Sequence, residues 1–213
     1  MRLLNYLTED IDNIDEINEL IKKDCKYYLS LIGNEMIFTR GAGSSIVTNP
    51  FSKQQTRQDR KPSGMRLNTF KHFNKWLKEN GHNTRNNAVI GTSLEDILKT
   101  DFGYNNFLFP IGKFNFTYAE TQDINIDDVR TGWTEDIVDR FFNTNKMVNS
   151  LLGGNRNRKI NNRKPFESYF HTNKNINIAY KNNYEIWFDC KEYYLASLLY
   201  YKWDKSKHLL VSK

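Results

Sequence analysis

Three short stretches carry side chains able to do chemistry where a strand starts or stops. The first is Arg40-Gly41, after the apolar run Met36-Ile37-Phe38. An arginine grips phosphate or carboxylate with parallel N–H bonds, and a glycine lets a ligand approach the backbone. The same arginine can instead close a surface ion pair. The second is Gly91-Thr92-Ser93, after Ala88-Val89-Ile90. Its hydroxyls can face a cleft, or Ser93 can cap a helical turn over 94–98, with Asp96 in the capping-box position. The third is Asn183-Tyr184-Glu185. Glu185 is a carboxylate at the start of a strand, where a sheet opens towards solvent, and Asn183 is an amide able to orient a ligand hydroxyl. Alone, Glu185 also reads as an ordinary solvated strand terminus.

Cations cluster in two further places. Arg57, Arg60 and Lys61 surround Asp59. They can bind phosphates, or form a solvated loop pinned by an Arg–Asp pair. Residues 156–164 hold Arg156, Arg158, Lys159, Arg163 and Lys164 among glycine-free, asparagine-rich sequence that follows Gly153-Gly154. Such a basic loop can follow a phosphate backbone, and Tyr169, Phe170 and His171 can stack on a base. His72 and His82 have no Cys or His partner at metal-ligand spacing, so no metal is expected.

The elements that must position these groups are legible from periodicity. Residues 183–190 alternate, with Ile186, Phe188 and Cys190 on one face and Glu185, Trp187 and Asp189 on the other. Helical spacing covers 13–32, with Asn13 as cap, and 68–80, with Gly81 as stop. A third helix is expected after Thr134, carrying Ile137, Val138, Phe141 and Phe142. Residues 44–66 read as a loop. Residues 104–118 read as a hairpin, or as a strand bent at Pro110-Gly112. Residues 193–201 should pack a final strand.

Composition sets bounds. The chain has 213 residues and no linker-like stretch, which favours one domain. Hydrophobic residues make up 38%, but aromatics reach 14%, enough rings to build a core with fewer aliphatics. The net charge of +6 favours an anionic partner. Cys25 and Cys190 read as buried thiols in a reducing compartment. No run approaches the roughly 18 apolar residues of a membrane span. The stretch Met1-Arg2-Leu3-Leu4-Asn5 is too short, and soon too acidic, for a signal peptide. A cytoplasmic location is expected, with no membrane partner.

The order Arg40, Gly91-Thr92-Ser93, Glu185 resembles the Arg–Ser–Glu signature of the ADP-ribosyltransferase superfamily. Asn183 stands where that family has Glu or Gln two residues before the glutamate, and Gly91 replaces its first serine. A second resemblance spans about residues 37–195. Thr56-Arg57-Gln58-Asp59-Arg60-Lys61-Pro62, Ala88-Val89-Ile90-Gly91-Thr92-Ser93, Phe107-Leu108-Phe109-Pro110-Ile111-Gly112 and Tyr184-Glu185-Ile186-Trp187-Phe188-Asp189-Cys190 look like blocks of an uncharacterised tailed-bacteriophage family.

The first resemblance implies an α+β fold: a split, strongly bent mixed β-sheet core over 35–213, with flanking helices and an N-terminal helical segment over 1–34 packed on it. It implies NAD as substrate, without a metal, and transfer of ADP-ribose through an oxocarbenium-like transition state. Glu185 would stabilise that charge, Arg40 hold the diphosphate, and Ser93 orient the ribose and Glu185. Gly41, Thr92 and Tyr104 would complete the NAD site. Asn183, Arg57, Arg60, Arg156, Arg158 and Arg163 would meet the acceptor, a nucleic acid or host protein. The alternatives are a non-catalytic nucleic-acid-binding protein and an NAD glycohydrolase.

Overall fold

The computed structural model describes residues 13–33, 36–42, 49–61, 67–93, 104–120 and 166–213. The basic loop with Arg156, Arg158 and Arg163, the helix expected after Thr134 and the turn expected at 94–98 lie outside them. The described residues form an α+β fold. Its centre is an eight-stranded sheet of order β2-β8-β4-β1-β3-β7-β5-β6. The strands are β1 (Phe38–Ala42), β2 (Phe51–Gln55), β3 (Val89–Ser93), β4 (Tyr104–Pro110), β5 (Asn115–Ala119), β6 (Phe170–Thr172), β7 (Ile186–Asp189) and β8 (Glu192–Ser197). β9 (Tyr201–Asp204) and β10 (Leu209–Ser212) make a separate hairpin.

Every pair in the large sheet is antiparallel, which corrects the expected mixed sheet. Periodicity marks a strand but carries no direction. The sheet divides at β3. Thr92 and Ser93 pair with β1, while Val89, Ile90 and Gly91 pair with β7. β3 is therefore the strand shared by both halves. β4 and β5 pair with other strands in opposite halves, so 104–118 is no hairpin. The chain crosses between halves at the bend through Gly112, whose φ is +71°.

The helices are α1 (Ile14–Asp24), α2 (Lys26–Ile32), α3 (Leu67–Glu79) and α4 (Ile176–Lys181). Asn13 caps α1, its Oδ1 accepting from Asp15 N–H at 2.9 Å. The single helix expected over 13–32 breaks at Cys25. There the Asp24 carbonyl accepts from Gly112 N–H at 2.8 Å, so the helical ladder loses that acceptor to a remote bend. Asn18, buried on α1, grips the far end of the chain. Its amide donates to Leu210 O at 2.9 Å, and its Oδ1 accepts from Leu210 N–H at 2.8 Å.

Apolar packing covers both faces of the sheet. Phe188 meets Tyr28, Phe38 and Phe114 on one side. Trp187, the preceding residue, meets Phe73 and Phe170 on the other. Both are fully buried. Full burial of such a side chain contributes about 1.5–3 kcal/mol, so β7 is held firmly from two directions. Part of the stretch expected as a loop, Phe51–Gln55, is edge strand β2. Its polar pattern fits a strand paired on one side only, with Phe51 stacked on Tyr194. The strand expected over 193–201 is β8, but it is not the final one: two further strands, β9 and β10, follow it.

Gly91 is closely covered by side chains. A Cβ there would lie 3.1 Å from Leu108 Cδ2 and 3.2 Å from Phe188 Cε2. Gly91→Ser should cost about 1–3 kcal/mol through overpacking, read as a lower urea midpoint with an unchanged slope. An unchanged midpoint would show that the two rows of side chains yield freely.

Candidate functional site

β1, β3 and β7 are neighbours in the sheet; Arg40 lies on β1, Thr92-Ser93 on β3 and Glu185 just ahead of β7. Glu185 immediately precedes β7. It is 5% exposed, not the solvent-facing carboxylate expected from its place at a strand start. The reason is what covers it. Arg85 Nη2 lies 2.7 Å from Oε1 and 3.0 Å from Oε2. Trp187, two residues on and so on the same strand face, donates its indole N–H to Oε1 at 2.6 Å. The Arg85 guanidinium also sits over the Trp187 ring, 5.9 Å from its centroid.

Arg85 opens a single turn of 3-10 helix, Arg85–Asn87, just before β3. That turn is fixed from α3, where Asn74 Oδ1 accepts from Asn86 N–H at 3.2 Å. Sequence reasoning missed Arg85. The signal available was the apolar pattern around Glu185, since a carboxylate buried there needs a cation.

The cluster at 57–61 divides. Arg57 is exposed, with Nε 3.6 Å from the equally exposed Asp59 Oδ1. Arg60 is half-buried and lies within electrostatic reach of Arg40, Arg85 and Glu185. Burial, then the Arg40 and Arg85 guanidiniums, push its pKa down to about 10, and Glu185 opposes them. Arg40 is half-buried too, and its Nη1 donates to Ile90 O at 3.0 Å.

Ser93 is buried at the end of β3, and its hydroxyl donates to Asn183 Oδ1. Asn183 ends α4 in the left-handed region, at φ +56°, with its N–H donating to Tyr180 O at 3.1 Å. The Ser93–Asn183 contact thus ties β3 to the approach to Glu185. The Thr92 carbonyl accepts from Thr39 Oγ1 at 3.1 Å. Gly41 lies opposite Asn105, and Tyr104, which is exposed, opposite Ala42 at the far end of β1. Arg85 is thus paired with Glu185, Arg60 lies within electrostatic reach of Arg40, Arg85 and Glu185, Ser93 is joined to Asn183, and Arg57 is left outside on Asp59.

A second polar group sits across β5 and β6. His82 Nδ1 is 2.8 Å from Thr172 Oγ1, which is 2.8 Å from Thr117 Oγ1, and the latter accepts from Asn83 N–H at 3.0 Å. Burial, with His171 and Lys174 adding, lowers the His82 pKa. A histidine held neutral by the fold costs stability when it must charge. Stability from this site is thus complete above the unfolded value near 6.5 and falls as pH drops below it. Urea midpoints from pH 8 to 5.5 should decline less for His82→Gln than for the wild type. Parallel curves would remove His82 as the cause.

Among the described residues, no group of three or more His, Cys, Asp or Glu side chains could hold a metal ion. Among the same residues, no helix is long and apolar enough to cross a membrane. Cys25 and Cys190 are both buried and free, and burial pushes the Cys190 thiol up to about 12. Compared with known proteins, the chain matches no family model, no curated protein and no solved structure.

Proposed function

We propose that this protein is an NAD-dependent ADP-ribosyltransferase of the Arg–Ser–Glu type, phage-encoded, that modifies a nucleic acid or a host protein. The observation that carries this reading is the adjacency of β1, β3 and β7 in one antiparallel sheet, with the arginine on β1, the Thr-Ser pair on β3 and the glutamate immediately before β7. Breaking the nicotinamide–ribose bond leaves positive charge on the sugar. Glu185 stabilises that charge, its carboxylate already oriented by Arg85 and Trp187. Oε2 is held at 3.0 Å by Arg85. Arg40 holds phosphate. Ser93 acts as a positioning residue, through Asn183.

The test is incubation of the purified protein with labelled NAD and a host lysate, followed by separate protease, DNase and RNase digestion. Label on a macromolecule supports the reading, and the digestion that removes it names the acceptor. NAD loss without label gives a glycohydrolase. No NAD binding, with steeply salt-dependent nucleic-acid binding, gives the non-catalytic reading and ends this one.

A further inference from the structure

Arg60 lies on the segment that leaves β2. Thr56 N–H donates to Lys191 O at 2.9 Å, which lays that segment against the β7–β8 turn. From there the Arg60 side chain reaches inward, unlike Arg57. Its Nη1 is buried and has no hydrogen-bond partner among the described residues. A buried charged donor without a partner is costly, and folded proteins rarely keep one without a use.

The surrounding charge is unbalanced. Among the described residues, Arg60 has two arginines, Arg40 and Arg85, and one carboxylate, Glu185, within electrostatic reach. Arg85 takes that carboxylate in a close ion pair. Arg40 spends Nη1 on the Ile90 carbonyl. Among the described residues, Arg40 and Arg60 are then two half-buried cations on separate segments within electrostatic reach of each other, an excess of positive charge that favours an anion. Two guanidiniums from two segments suit two linked phosphates better than a single one.

We propose that Arg40 and Arg60 form an anion site that takes the diphosphate of a nucleotide, with Arg60 presenting its buried Nη1. This deepens the transferase reading and rests on it for the identity of the nucleotide. It moves Arg60 from the acceptor side, where the sequence put it, to the NAD side. The lowered pKa of Arg60 comes first from burial and then from the Arg40 and Arg85 guanidiniums, and a bound anion would relieve that second contribution.

The experiment is calorimetric titration of pyrophosphate into wild type, Arg60→Gln, Arg60→Lys and the surface control Lys78→Ala, with NAD consumption followed in parallel. Arg60→Gln should lose about ten- to a hundredfold in pyrophosphate affinity, the range for a charged hydrogen bond. Arg60→Lys should fall between, because lysine keeps the charge without the fork. Lys78→Ala should match the wild type. The ligand-free melting temperature of Arg60→Gln should hold or rise, since a like charge has been removed. Equal affinity in wild type and Arg60→Gln, an equal loss in Lys78→Ala, or no pyrophosphate binding by the wild type overturns the site. Arg60-dependent pyrophosphate binding without NAD consumption leaves the anion site standing and removes the transferase.

Discussion

Glu185→Gln should lower NAD-dependent labelling by at least about a hundredfold, because it removes the negative charge facing the developing oxocarbenium ion. It should also destabilise the fold. The Arg85 and Glu185 side chains are 12% and 7% exposed, so the substitution leaves a guanidinium buried without its counter-charge. Breaking such a pair on one side costs about 3–5 kcal/mol. The two effects must be separated. Activity is therefore measured at a temperature where circular dichroism shows the variant fully folded. Activity close to wild type under those conditions would sink the role of Glu185.

Arg85→Ala should produce the largest loss of stability of any single substitution at the site, again about 3–5 kcal/mol, now with the carboxylate stranded. The double variant Arg85→Gln/Glu185→Gln replaces two buried charges by two amides. It should lose much less stability than the sum of the single variants, because the residues are in direct contact. Its labelling activity should stay as low as that of Glu185→Gln. Urea unfolding of the four proteins gives the coupling. If the double variant recovered activity along with stability, the pair would be structural only.

Much of the sheet was legible because its strands alternate. Ile186 and Phe188 against Glu185 and Trp187 marked β7, and the packing of Phe73 and Trp76 marked α3. Pairing and direction were not legible, because neither is written in one strand's own sequence. Nor was the break at Cys25, caused by a bond from Gly112 far along the chain. The site divides the same way. Ser93, at the end of β3, and Glu185, just ahead of β7, stand where alternation placed them, whereas Arg40, expected at a strand end, lies in the middle of β1. Arg85 could not be assigned a role, because its partner stands 100 residues away. Arg57 and Arg60 looked equivalent in sequence, and only the course of the segment after β2 separates them.

The paired bonds between Asn18 and Leu210 make the order of synthesis matter. The amide of Asn18 is 192 residues ahead of the backbone it joins. At about 5–20 residues per second, α1 leaves the ribosome roughly 10–40 s before that partner exists. During that interval a polar group destined for burial stays hydrated, and the apolar stripe of Ile17 and Ile21 has only part of its eventual cover. Closure of α1 thus waits until Leu210 has been made. A nascent chain arrested short of β10 should leave α1 open to protease, although most of the large sheet has already been synthesised.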